Sequence, residues 1–169
     1  MNFSQNYFQL LGVKESFDID LQDLSTNYKK LQIQIHPDKN VNASPHEKRL
    51  SIQTSAYINQ AYNVLKDRTR RAEYLLEIKN IEINDEQDTI SDTQFLVHQL
   101  KLHEELENLL RNDKEFYADF LTKIQKYQKD LFEDFSKQYL ELDYQNAKET
   151  VLKMKFYRRL KTQAKERGV

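Results

Sequence analysis

Apolar residues recur every three or four positions along most of this chain, a pattern that predicts amphipathic helices. Leu21, Leu24, Tyr28, Leu31 and Ile35 form one stripe, and Asp20 stands where an N-cap belongs. That helix should stop before Pro37, because the residue ahead of a proline disfavours the helical region. Ser44-Pro45-His46-Glu47 reads as the next start. It joins a Ser N-cap, a Pro at the first helical position and a Glu at the reciprocal capping-box position. The helix it opens carries Leu50, Tyr57, Ile58, Ala61, Tyr62 and Leu65. Upstream, the short apolar segment Tyr7, Phe8, Leu10 and Leu11 is closed by Gly12, which takes positive φ at low cost. Arg70-Arg71-Ala72-Glu73-Tyr74-Leu75-Leu76 predicts one more short helix.

Residues 82–92 break the pattern. They hold Glu82, Asp85, Glu86, Asp88 and Asp92, no Lys or Arg, and no apolar period, which reads as a linker. Beyond it the period returns in three helices. The first is capped by Asp92 and runs to about Arg111. The second spans Lys114 to Tyr139, with Phe116, Phe120, Ile124, Tyr127, Leu131 and Phe135 on one stripe. The third spans Tyr144 to Lys165, with Ala147, Val151, Met154, Tyr157 and Leu160. Short connections at Asn112-Asp113 and Leu142-Asp143 make neighbours antiparallel, as in a small bundle. The expected organisation is therefore a helical domain over 1–76, a linker over 77–92 and a three-helix bundle over 93–169.

Composition narrows the functional classes. Two Gly and two Pro in 169 residues are too few for the turns of a sandwich or barrel, so the fold should be all-α. With no Cys there is no disulfide, thiolate zinc site, iron–sulfur ligation or Cys nucleophile. The 26 basic and 27 acidic residues nearly cancel, which argues against a dedicated nucleic-acid binder. No basic start with an apolar core resembles a signal peptide, and the apolar runs are too short to span a bilayer, so the expectation is a cytoplasmic protein. His98 and His103 are five apart and fall on different helix faces, unlike a helical zinc pair. Neither a metal nor any other cofactor is expected. Enzymatic activity is not expected either, since no Ser or Cys nucleophile motif accompanies the histidines.

The most specific motif is His36-Pro37-Asp38, placed in the stretch between the two long N-terminal helices. Tyr28 and Leu31 precede it on the core face, and Ala61-Tyr62-Asn63-Val64-Leu65 follows on the second helix. This combination resembles the J domain of the DnaJ family, co-chaperones of DnaK-type ATPases. The resemblance implies that the His36-Pro37-Asp38 loop docks on the chaperone's ATPase domain and stimulates hydrolysis, with Lys29, Lys30 and Tyr28 of the preceding helix counted among the chaperone-binding residues. The residue types suit that task. Pro37 lowers the entropic cost of presenting the loop. Asp38 offers a carboxylate for a charge-assisted bond. His36 can both donate and accept. Lys29 and Lys30 would steer encounter with an acidic surface.

Two positions depart from the common J-domain pattern: Arg68 follows Asp67 where many have a proline, and Gln34 stands where many are basic. Together with Arg71-Ala72-Glu73-Tyr74-Leu75-Leu76, Asp92-Thr93-Gln94-Phe95-Leu96-Val97-His98-Gln99-Leu100, Glu104-Glu105-Leu106 and Val151-Leu152-Lys153-Met154-Lys155-Phe156, they resemble the HscB family. That resemblance covers nearly the whole chain. It implies a co-chaperone of iron–sulfur cluster biogenesis that brings the scaffold IscU to an HscA-type chaperone. Client-binding positions would then be Leu96, Val97, Leu100, Glu104 and Phe156, with Lys101 at a place that is often acidic. At 100° per residue, Phe95, Leu102, Leu106 and Leu109 share one side of their helix, while Leu96, Val97, Leu100 and Glu104 share another. The alternative function is a general J-domain co-chaperone with a different client.

Overall fold

A computed structural model describes residues 5–35, 44–84, 87–108 and 114–167. Among these residues helix is the regular structure present, and there is no strand. The helices are α1 (Tyr7–Leu10), α2 (Leu21–Ile35), α3 (Pro45–Lys66), α4 (Arg68–Ile78), α5 (Thr93–Glu107), α6 (Lys114–Leu140) and α7 (Tyr144–Arg167). They fall into two compact units, Met1–Ile78 and Lys79–Val169.

In the first unit, helix ends are set by side chains the sequence makes visible. Asn6 and Gln9 close a capping box on α1. The Asp20 carboxylate accepts the Gln22 and Asp23 amides at 2.7 and 3.1 Å and opens α2. Ser44 and Glu47 exchange bonds at the start of α3, with Pro45 as its first residue. Asp67 accepts the Arg70 amide at 2.9 Å and starts α4. Gly12 has φ +62°, so the chain reverses there, and the Asn27 amide donates to Leu11 and Gly12 carbonyls at 3.0 and 3.3 Å.

The buried stripes then meet. Phe8, Leu11, Leu24, Ile58, Ala61, Leu65, Ala72, Leu75 and Leu76 are almost fully removed from solvent. One cation joins them. The Arg71 side chain is buried, its guanidinium lies 5.5 Å from the Phe17 ring, and its Nη1 donates to the Leu65 carbonyl at 2.7 Å. Burial, followed by repulsion from Arg68, lowers its pKa to about 10, so it stays charged at neutral pH. It holds the start of α4 against the end of α3.

The second unit is an antiparallel α6–α7 pair with α5 laid across it. Phe95, Leu102 and Leu106 enter a core formed by Phe120, Ile124, Phe156, Tyr157, Leu160 and Ala164. Phe95 meets Phe156 and Tyr157 edge-on at 5.6 and 5.8 Å, a preferred aromatic arrangement. Helix α5 ends at Glu107, short of the expected Arg111, with Asn108 as its C-cap. Asn is a weak helix former because its side chain competes for local backbone bonds. The tight α6–α7 turn places Leu142 at φ +60°, and Asp143 caps α7 through the Asn146 amide.

The acidic segment ahead of α5 is bonded to the bundle. Asp88 pairs with Lys148 at 2.8 Å, Ser91 donates to Glu149 at 3.0 Å, and Ile90 packs on the core.

Replacing Gly12 by Ala would put a β-carbon on a left-handed residue, which costs about 1–2 kcal/mol. The Gly12→Ala chain should therefore exchange its Leu11 and Val13 amides faster, since these close the turn onto Tyr7 and Phe8. Hydrogen exchange read by NMR would show it.

Candidate functional site

Two surfaces follow from these helices, one in each unit. In the first, α2 and α3 are antiparallel neighbours joined by a polar ladder. Tyr28 stacks on Tyr62 at 4.1 Å and its hydroxyl donates to the Asn59 side chain at 2.8 Å. The Gln32 amide donates to the same Asn59 oxygen at 2.7 Å, and Ser55 donates to Gln32 at 3.1 Å. Nearest the end of α2, the Ser51 hydroxyl donates to the Ile35 carbonyl at 2.6 Å. The ladder spends carbonyl, amide and hydroxyl groups in pairs, so it holds the hairpin in one register without leaving polar groups unsatisfied.

His36, Pro37 and Asp38 lie outside the described residues. Their flanks are set: Ile35 is held by Ser51, and Ser44 is held by its capping box. Lys29 and Lys30 are exposed on α2, and Tyr28 is half-buried against α3. Tyr28 thus braces the hairpin while the two lysines face solvent. Sequence reading missed Ile33, which is 60% exposed on the same outer side as Lys29 and Lys30. Its position four after Lys29 and three after Lys30 was the available signal.

In the second unit, α5 has two apolar sides. Phe95, Leu102 and Leu106 are in the core, whereas Leu96, Val97 and Leu100 are 43%, 49% and 66% exposed. Glu104 and Lys101 are exposed beside them. Phe156 is placed differently: it is 5% exposed, edge-on to Phe95 and to His103 at 5.6 Å each. The structure thus brings Leu96, Val97, Leu100 and Glu104 onto one open helix face and sets Phe156 in the core that supports it.

Two ionic pins fix the rotation of α5. At its start Asp92 accepts the Phe95 amide at 3.0 Å and binds Lys153 at 2.8 Å, while Lys153 also reaches Glu149 at 3.2 Å. Further along, Lys123 of α6 binds both oxygens of Glu105 at 2.7 and 2.9 Å. The bond from Lys153, then that from the Phe95 amide, hold the Asp92 carboxyl below the usual range. Partial burial opposes the charge on Lys153, but its bonds to Asp92 and Glu149 prevail and raise its pKa.

His98 and His103 pack on different rings, one within the bundle and one on its surface. No cluster of three His, Cys, Asp or Glu suited to a metal occurs among the described residues. His98 packs edge-on against Tyr127 at 4.8 Å, and its Nε2 is buried with no hydrogen-bond partner. Burial, followed by repulsion from Lys123, lowers its pKa and favours the neutral ring. No described helix is long and apolar enough to cross a membrane.

Comparison with known proteins divides the chain at the same place. Residues 6–74 match the family model of the DnaJ domain, and residues 91–165 match the HSCB C-terminal oligomerisation domain. The co-chaperone protein HscB homolog of Colwellia psychrerythraea is 48% identical over 104 residues, spanning 62% of this chain and 59% of that one. The HscB homolog of Shewanella halifaxensis is 37% identical over 92% of both chains. The solved structure of chaperone HscB from Vibrio cholerae superposes with a TM-score of 0.83 at 36% identity, covering 95% of this chain and 96% of that one.

Asp92 gives the bundle a testable pH dependence. A carboxyl whose folded pKa lies below its unfolded value adds stability above about pH 4, and that stability is lost as pH falls through the folded pKa. Asp92→Asn keeps a capping side chain and deletes the ion pair. Its melting temperature should fall short of the parent's at pH 7, and the gap should close as pH falls through the lowered folded pKa of Asp92. Thermal melts across that range would check it.

Proposed function

The chain belongs to the HscB family of J-domain co-chaperones, and on that premise we propose that it couples an iron–sulfur scaffold to a DnaK-type ATPase. The scaffold would be an IscU-type protein and the chaperone an HscA-type one. The protein would work by binding alone, with ATP hydrolysed by its partner. A cytoplasmic location accompanies this reading.

The observation that carries the client half is the open face of α5. Three large apolar side chains stand exposed in one turn and a half, next to three others that are buried. Contiguous exposed apolar residues in a folded domain mark a partner surface. Leu96, Val97 and Leu100 would be the anchors, Glu104 a polar rim contact, and Phe156 the support that keeps Leu96 and Leu100 outward. The absence of Cys suits the role, since this chain offers no thiolate to compete for a cluster held by the scaffold.

The chaperone half rests on His36, Pro37 and Asp38, which follow α2 in the sequence, and on the exposed Lys29 and Lys30 of a helix held in register against α3. The departure at Gln34 lowers the positive charge of α2 relative to the common pattern. Ile33 adds exposed apolar surface at the adjoining position. A contact that is less electrostatic and more apolar would favour one specialised chaperone over many acidic partners.

Two experiments separate the halves. His36→Gln should abolish stimulation of an HscA-type ATPase while leaving scaffold binding and melting unchanged. Stimulation equal to the parent's would remove the J-domain mechanism. Leu96→Ala with Leu100→Ala should weaken scaffold binding by about 30-fold or more, since anchors of this kind contribute 2 kcal/mol or above, and melting should hardly change. Phe156→Ala should instead destabilise the bundle by about 3–5 kcal/mol, the usual cost of emptying a buried aromatic site. Unchanged scaffold binding by the double leucine variant would show that the client lies elsewhere.

A further inference from the structure

We infer that the client surface continues from Leu96 into a groove on α7 that receives a carboxylate-bearing apolar segment of the scaffold. The inference rests on the assignment of the outer α5 face to that client. The groove is about 320 Å³ and lies between the Asp88–Ile90 segment, the first turn of α5 and α7. Ile90, Leu96 and Leu152 give it apolar walls, and Lys155 and Arg159 stand on its α7 side. Leu96 belongs to both the open helix face and the groove, so an occupant of one extends directly into the other.

Charge identifies what the groove would take. Its one acidic residue, Asp88, is already engaged by Lys148 at 2.8 Å and by the Asn84 amide at 2.7 Å. Lys153, two residues before Lys155, is committed to Asp92 and Glu149. Lys155 and Arg159 are four apart and so share one side of α7. Arg159 is exposed and has no ion pair or hydrogen bond among the described residues. The groove therefore presents a planar guanidinium above apolar walls with its acidic member neutralised. A guanidinium binds a carboxylate through two parallel hydrogen bonds. The fitting ligand is an Asp or Glu side chain with an apolar neighbour for Ile90 and Leu152. A nucleic-acid strand fits poorly, because two cations on a chain of net charge −1 make a weak phosphate track.

The test uses the full chain and a purified IscU-type scaffold, with binding measured by calorimetry at low and moderate salt. Arg159→Glu should weaken binding by about tenfold or more and Arg159→Gln by about fivefold. Binding by Arg159→Gln should also depend less on salt than binding by the parent. Circular dichroism should be unchanged, because Arg159 is exposed. Leu100→Ala, outside the groove, reports separately on the α5 face. Loss of binding by Leu100→Ala with none by the Arg159 variants would overturn the groove and leave the α5 assignment standing. A loss by Arg159→Glu alone, with Arg159→Gln matching the parent, would mean nonspecific repulsion and overturn it too. If neither Leu100→Ala nor the Arg159 variants lose binding, the client assignment itself fails, and the groove with it.

Discussion

Phe95, Leu102 and Leu106 must all reach the α6–α7 groove, and their burial decides which way the rest of α5 faces. Hydrophobicity alone does not make that choice sharply. Burying a large apolar side chain contributes about 1.5–3 kcal/mol, and Leu96, Val97 and Leu100 would contribute similarly if the helix were turned over. What separates the two orientations is the aromatic fit of Phe95 between Phe156 and Tyr157, together with two ionic pins. Asp92 to Lys153 holds the start of the helix, and Glu105 to Lys123 holds its second half. Turning α5 over would break both pins and empty the aromatic site. A helix with two apolar sides is thereby made to keep one of them open.

The first unit solves a different problem with the same means. If His36, Pro37 and Asp38 meet a partner as proposed, the helix ends that flank them must not drift. The α2–α3 hairpin holds those ends through a ladder of paired polar groups, from Tyr28 and Asn59 to Ser51 and the Ile35 carbonyl. Arg71 completes the unit from within, tying α4 to the α3 end across the Phe17 ring. In both units, residues far from any partner surface set the geometry of those that would touch one.

Much of this was legible in the sequence because caps and stripes are local. Asp20, Ser44 with Glu47, Asp92 and Gly12 all mark boundaries where the structure has them. The stripes of α3, α6 and α7 name much of the core, including Ile58, Phe120, Ile124 and Val151, although Leu50 and Phe116 on the same stripes are exposed, and the division of α5 into two sides follows from 100° per residue. The less legible features join residues far apart. Nothing periodic links Lys153 to Asp92 or Tyr28 to Asn59, and the burial of Arg71 contradicts what its charge suggests. Phe156 also shows the limit of helical wheels. It lies at the edge of its stripe, yet the crossing of α5 covers it.

Separate surfaces on one chain would serve the two proposed partners, and NMR of the full chain titrated with each partner tests this most directly. Adding an IscU-type scaffold should shift the methyl resonances of Leu96, Val97 and Leu100 and leave the amides of Lys29 to Ile35 in place. Adding an HscA-type chaperone with ATP should shift the α2 amides and leave the α5 methyls in place. If the scaffold leaves the α5 methyls unmoved, or if both partners perturb the same helix, the account is contradicted.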